Sequence, residues 1–134
     1  MVDHEYVQPE NLSKPIGVWT PAVIVRKGSL VFVSGLTSRD EKGEVAHVGD
    51  IRGQTRQICE NLRSALRSMG GDLSDVVSVL VHVTDIDEFD AIHEIRREFF
   101  PKNPPASTMV QVERLVDKRS LIEITAIAAL DNTV

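Results

Sequence analysis

Apolar residues recur along the chain at two spacings, one typical of helices and the other of strands. Between residues 50 and 69 they return every three or four positions, which predicts an amphipathic helix. Asp50 can cap the start of this helix, and the glycine pair Gly70–Gly71 is a typical stop signal.

A second helix is predicted over residues 87–100, with Asp87 as its cap. Three prolines follow it and force an extended loop. One side of this helix carries Phe89, Ile92, Arg96 and Phe99.

Strands are predicted where apolar and polar residues alternate, or where short apolar runs lie between turn signals. A Lys-Gly turn joins the first two, which predicts a hairpin. Residues 1–15 are polar with two prolines and predict an irregular lead-in. The predicted strands cover residues 18–25, 30–34, 76–83, 108–114 and 121–130.

This order of elements predicts one α+β domain over residues 1–134. Strands and helices are mixed, with hairpins at both ends, which favours a mixed sheet with two helices packed on one face. The last strand is apolar on both of its faces, so the uncovered face of the sheet is expected to bury itself against other copies of the chain.

Composition narrows the range of functions. The chain has 134 residues, a net charge of -5 and few aromatic residues, so binding to nucleic acid is not expected. The single Cys59 cannot form an internal disulfide and is expected to be a buried small apolar residue. The start has no signal-peptide pattern, and no stretch is long and apolar enough for a membrane helix. A cytoplasmic protein without membrane contact is therefore expected.

No motif typical of a nucleotide, metal or nucleophile site occurs, and the four histidines lack metal-ligand spacing. Neither a cofactor nor a metal is therefore expected. Periodicity and composition alone predict an α+β oligomer and do not specify its chemistry.

Five segments nevertheless resemble the Rid family, also called YjgF-like or L-PSP proteins. The resemblance spans about residues 16–130. It implies a chorismate-mutase-like fold and a homotrimer with ligand clefts between subunits. It also implies hydrolysis of reactive enamines and imines to keto acids and ammonia, although some members were named as ribonucleases. The segments are LVFVSG at 30–35, DIRGQTRQICENL at 50–62, VTDIDEFDAIHEIRREFFP at 83–101, NPPASTMVQVERL at 103–115 and IEITAIA at 122–128.

The chain departs from the family's deaminases at the positions expected to line the cleft. Those proteins have an Arg after the Pro-Ala pair, which grips the substrate carboxylate, whereas this chain has Ser107. Met109 stands where they often have Cys, and Thr125 stands where they have a second Glu that positions water. The chain therefore falls outside the subgroup with the catalytic Arg.

The resemblance assigns a candidate site to the remaining cleft positions. His93, at a family Asn position, is the nearest titratable base, and Glu123 matches a family Glu. These two are the candidate catalytic residues. An ion pair with Arg114 is the alternative role of Glu123. The candidate substrate-binding residues are Trp19, at a family Tyr position, with Ser34, Gly35, Ser107, Met109 and Thr125.

The function predicted from these residues is hydrolytic deamination of an enamine or imine in clefts between subunits. An aminomuconate-like substrate is preferred to 2-aminoacrylate because the carboxylate-gripping Arg is absent. Two alternatives stay open, a non-catalytic protein that binds a small metabolite and an endoribonuclease.

Overall fold

The computed structural model describes residues 3–131, which form six strands and two helices. Two short 3-10 turns, Leu73–Asp75 and Ile86–Glu88, precede β4 and α2. The elements in chain order are β1 (Asp3–Val7), β2 (Ala22–Lys27), β3 (Ser29–Leu36), α1 (Ile51–Ser68), β4 (Val76–Val83), α2 (Phe89–Phe99), β5 (Ala106–Gln111) and β6 (Ile122–Leu130).

Four of the strands form a mixed sheet in the order β3-β6-β4-β5. β4 pairs with β5 in parallel, whereas β6 runs antiparallel to both β3 and β4. The sheet and the two helices confirm the predicted α+β class.

Both helices pack on one face of this sheet. Buried apolar residues of α1 and α2, among them Ile58, Leu62 and Ile92, form a single core with the inward residues of β4 and β6. The Asp50 side chain accepts a hydrogen bond from the Gly53 backbone N–H, which confirms the predicted cap. Two exposed ion pairs join the helices across their outer surface, Arg52 with Glu94 and Arg56 with Glu98.

The hairpin predicted from the strands at 18–25 and 30–34, which correspond to β2 and β3, is wrong. Only Gly28 separates them, and one residue is too short a loop for an antiparallel turn. β2 instead pairs with β1 in a separate two-stranded sheet, while β3 pairs with β6. The lead-in is accordingly not irregular throughout, because residues 3–7 form β1 with alternating exposed and half-buried side chains.

Two further details of the prediction are corrected. Asp87 does not cap α2: the Asp85 side chain accepts from the Asp87 backbone N–H at the preceding 3-10 turn, and α2 starts at Phe89 without a side-chain cap. The last two strands do not form a hairpin either. Ten residues separate them, and each pairs with a different edge of β4.

The other face of the four-stranded sheet has no helix on it and carries large apolar side chains. We call this surface the open face. Phe32 is 72% exposed there and Leu30 is 53% exposed. Leu80 of β4 and Val110 of β5 extend the same apolar surface. Across residues 3–131 neither helix has the length and apolar character needed to cross a bilayer.

Candidate functional site

A cavity of about 310 Å³ lies between α2, β5 and the segment that precedes β2. Ser107 and Met109 reach it from β5, on the face of the sheet that the helices cover, because their register partners Val79 and Val81 belong to the core. Four candidate residues therefore come together, as the resemblance implied. The lining consists of Trp19, Ile86, Phe89, His93, Ser107 and Met109.

The Trp19 segment is fastened to the loop before β5. The Thr20 hydroxyl donates to the Pro104 carbonyl at 2.6 Å, and the Thr20 backbone N–H donates to the Pro105 carbonyl at 3.1 Å. Gly17 lies against the His93 ring, and a Cβ there would be 2.7 Å from His93 Nε2. Any larger residue at this position would displace His93 or the segment itself.

Three aromatic rings form one side of the cavity. The His93 ring is stacked on Phe89 with centroids 3.9 Å apart, and Trp19 meets both rings edge to face at 5.9 and 6.3 Å. Together with Ile86 and Met109 they make the cavity mainly apolar.

Both nitrogens of His93 have partners. Nδ1 lies 2.9 Å from the Phe89 carbonyl, which only accepts, so Nδ1 carries the proton. Nε2 is then the acceptor of the neutral ring, and Arg96 Nη1 approaches it at 3.5 Å. Burial, reinforced by the charges of Arg96 and Arg97, lowers the pKa of His93. The ring is therefore neutral at pH 7 and offers one basic nitrogen beside a cation.

The sequence leaves open whether Arg96, Arg97 or Arg119 supplies an anion contact, and the structure places Arg96 directly behind the cavity wall. Arg96 is only 1% exposed. Its Nη2 donates to the Val18 carbonyl at 3.0 Å and to Ser107 Oγ at 3.2 Å. Burial lowers the pKa of its guanidinium to about 10, so it is charged at neutral pH. The available signal was a charged residue on the otherwise apolar side of the second helix.

The other candidate residues lie elsewhere in the protomer. Glu123 and Thr125 project from β6 to the open face, where their register partners are His82 and Leu80. Within one protomer they are thus separated by the sheet from the His93 cavity. Glu123 is not paired with Arg114, whose guanidinium donates to the carbonyls of Leu115 and Val116.

Glu123 instead lies across Gly35, where a Cβ would overlap its carboxylate. Ser34 and Gly35 fall in an irregularity of the β3–β6 pairing, which is typical of a bulge with unpaired backbone groups. A second cavity of about 180 Å³ is found here, and the buried Ser120 hydroxyl that lines it has no partner within residues 3–131. Its lining consists of Gly35, Thr37, Arg39, Val116, Asp117, Ser120 and Glu123.

Two chemical groups outside these cavities are accounted for structurally. Cys59 is buried in the core, and burial raises the pKa of its thiol to about 12, so it is an inert apolar residue as predicted. Among residues 3–131 no group of three or more His, Cys, Asp or Glu side chains is arranged to hold a metal ion.

The lowered pKa of His93 makes stability depend on pH. Below about pH 6.5 the unfolded chain binds a proton that folded His93 resists, so this contribution to the free energy of unfolding is complete above that pH and is lost as the pH falls. The variant His93→Asn retains a donor toward the Phe89 carbonyl but does not titrate. We expect urea unfolding at about pH 7.5 and about pH 5.5 to show a smaller loss of stability in the variant, by at most about 1.4 kcal/mol per pH unit.

His47→Asn is the matched control, because His47 is exposed and lines neither cavity. It should lose stability between the two pH values as the unchanged protein does. An equal pH dependence for His93→Asn and the unchanged protein would contradict the assignment of His93 as a buried neutral ring.

Comparison with known proteins gives the family. The model of the family Endoribonuclease L-PSP matches residues 10–130. A RutC family protein of Pyrococcus horikoshii is 40% identical over 125 residues, which cover 92% of this chain and 96% of that protein. The protein named 3-aminoacrylate deaminase RutC of Acinetobacter baylyi is 36% identical over 124 residues, with the same coverage of both chains.

A solved structure with a similar fold is that of a Rid family protein of unknown function, YyfB, from Yersinia pestis. It superposes with a TM-score of 0.88 at 27% identity and covers 95% of this chain and 98% of its own. The family match spans nearly every element that builds the two cavities, from the segment before β2 to the end of β6. This chain therefore belongs to the L-PSP family, among its Rid and RutC proteins.

Proposed function

We propose that this protein is a hydrolytic deaminase that acts on a reactive enamine or imine of an unsaturated amino acid. The observation that carries the proposal is the cavity in which Trp19, His93, Ser107 and Met109 meet. A relative that matches along 92% of the chain is named a deaminase of an enamine, 3-aminoacrylate. The cavity is apolar, contains one neutral base and has a hydroxyl on its wall, which suits a small conjugated substrate.

The reaction needs only water and proton transfers. The β-carbon of the enamine takes up a proton to give the iminium. Water then forms a C–O bond at the iminium carbon. The C–N bond breaks to release ammonia and leave a carbonyl. His93 Nε2 accepts a proton from the attacking water, and Glu123 exchanges protons with the substrate carbon and the departing nitrogen. Neither a metal nor a cofactor takes part in this scheme.

Glu123 reaches the cavity only in an assembly of chains, because the sheet separates the two within one protomer. We infer a homotrimer whose open faces meet, so that each cleft combines the His93 cavity of one protomer with Glu123 and the Ser34–Gly35 bulge of its neighbour. Backbone N–H groups of the bulge would then bind the substrate. The exposed apolar residues of the open face support such burial.

One observation favours a second candidate, a binding protein without catalysis. Both nitrogens of His93 have partners, and Arg96 lies beside its basic nitrogen, which weakens the one base that residues 3–131 of a protomer place in this cavity. The family Arg and second Glu are also replaced, by Ser107 and Thr125. Ribonuclease activity is less favoured because the chain carries a net charge of -5.

The first prediction concerns turnover. We expect the protein to accelerate formation of the carbonyl product from 2-aminomuconate above the spontaneous rate, and to act less well on freshly generated 2-aminoacrylate and on 3-aminoacrylate. A cavity of about 310 Å³ is larger than a three-carbon substrate fills. His93→Ala should lower kcat by about 100-fold with little change in KM, because the loss is of proton transfer rather than of binding.

His47→Ala is the control and should retain full activity. Acceleration of 2-aminoacrylate above the muconate would overturn the preferred substrate but not the reaction. No acceleration with any of the three compounds, together with a thermal shift on ligand addition, would replace the deaminase by the binding protein.

The second prediction tests the shared cleft. His93→Ala and Glu123→Gln are each expected to be nearly inactive. Trimers formed by unfolding and refolding an equal mixture of the two should recover about one quarter of normal activity, because about one cleft in four then combines an intact His93 with an intact Glu123. If the mixture stays as inactive as its parents, the two residues do not act in one shared cleft.

The third prediction concerns assembly. Phe32→Glu places a charge among the apolar side chains of the open face, and a buried unpaired charge is costly, so light scattering should show a shift from trimer toward monomer. Ile16→Glu is the control, since Ile16 is 83% exposed and lies outside the four-stranded sheet. A trimeric Phe32→Glu variant would show that the open face is not the contact between subunits.

A further inference from the structure

The positive charge of Arg96 lies buried behind the cavity wall, and no acidic side chain among residues 3–131 neutralises it. Arg96 has three partners, the Val18 carbonyl, Ser107 Oγ and His93 Nε2, and all three are uncharged. Within residues 3–131 it forms no ion pair. A buried cation without a counter-ion is unfavourable, and an anion placed nearby would offset that cost.

Ser107 connects this charge with the cavity. Its Oγ accepts a hydrogen bond from Arg96 Nη2, so its own hydrogen must point elsewhere. The side chain makes no other hydrogen bond within the described part of the chain, and it lines the cavity. A hydroxyl that accepts from a cation is a stronger donor than an isolated one, because the two hydrogen bonds polarise each other. The wall therefore presents a polarised donor.

We propose that the cavity recognises one carboxylate end of a flat unsaturated ligand: this carboxylate accepts from the Ser107 hydroxyl, while Arg96 supplies the charge from behind. Ser107 touches the ligand, and Arg96 acts through it as a positioning and specificity-determining residue. The proposal deepens the proposed function, since it assigns which end of the substrate lies at β5.

The rest of the lining selects the body of that ligand. Trp19, Phe89 and Met109 offer ring faces, ring edges and a thioether, which favour a planar apolar chain over a hydrated one. Within one protomer, no acidic side chain of residues 3–131 lines the cavity beside Ser107. One hydroxyl donor and one buried charge match one carboxylate group, so only one end of the ligand is held at β5.

The test measures binding without turnover. Trp19 is the only tryptophan of the chain and lines the cavity, so its fluorescence reports occupancy directly. The probes are sorbate, a flat unsaturated monocarboxylate, and sorbamide, its neutral counterpart of nearly equal shape. We expect the unchanged protein to bind sorbate at least about tenfold more tightly than sorbamide.

Two variants with matched controls locate the origin of this preference. Ser107→Ala should weaken sorbate binding by about tenfold and leave sorbamide binding unchanged, whereas Ser107→Thr, which keeps the hydroxyl, should retain the preference. Ser64→Ala removes an exposed hydroxyl on α1, outside the cavity and away from the sheet, and should change neither probe. Arg96→Gln should abolish the preference, whereas Arg97→Gln, with the same change in net charge at an exposed position, should not.

The inference does not depend on Arg96→Gln folding, because Ser107→Ala leaves Arg96 in place. Equal affinities of the unchanged protein for sorbate and sorbamide, no detectable sorbate binding, or an unaltered preference in Ser107→Ala would each overturn it. A protein that prefers sorbate through Ser107 but accelerates no deamination would overturn the proposed function alone.

Discussion

The contacts of one buried guanidinium hold together the segments that form the candidate site. From α2, Arg96 reaches the carbonyl of Val18 and the hydroxyl of Ser107, which belong to the segment before β2 and to β5. These three parts of the chain belong to separate elements, and only their convergence creates the cavity. Since each partner is neutral, the hydrogen bonds satisfy the donors of the guanidinium but do not cancel its charge. The same interaction therefore builds the cavity and gives it an electrostatic preference.

The two faces of the sheet have different surroundings and different proposed roles. The face under the helices is filled by the core and leaves room only where Ser107 and Met109 face α2. The open face carries exposed apolar side chains, which water solvates poorly, and Glu123 projects from the same face. A sheet with helices on one side therefore leaves this apolar surface exposed in a single protomer. In the proposed trimer, the apolar open face is buried between protomers. The same burial brings an acidic residue to each cavity.

Elements whose side chains point to the core could be predicted from the sequence, because their spacing records burial. α1, β4 and β6 begin and end within a residue or two of their predicted limits. β1 was missed because its alternating residues are mostly polar and lie at an exposed edge. The Asp87 cap was misplaced because Asp85 and Asp87 stand two residues apart, and sequence spacing does not tell which of them accepts the backbone N–H.

Less of the candidate site than of the fold could be predicted from the sequence. The meeting of Trp19, His93, Ser107 and Met109 was implied by the resemblance, and the structure has it in one protomer. The place of Glu123 on the opposite face follows from strand alternation, yet periodicity does not show that the cavity opens on the helix side. Arg96 was visible only as a charge on an apolar helix side. Its partners depend on tertiary contacts with residues 78 positions earlier and 11 positions later in the chain.

A charge placed behind the wall has a different chemical consequence from a guanidinium that points into the cleft. A facing guanidinium binds a carboxylate through two hydrogen bonds and fixes its orientation. A hydroxyl backed by a buried cation offers one hydrogen bond and leaves the ligand free to turn about it. Because the cavity surface itself stays neutral, apolar parts of a ligand can pack against it without displacing a strongly hydrated group. With Ser107 where the resemblance implies a facing Arg, the proposed site exchanges tight orientation for room, as expected of a site that accepts a longer unsaturated chain while it still discriminates by charge.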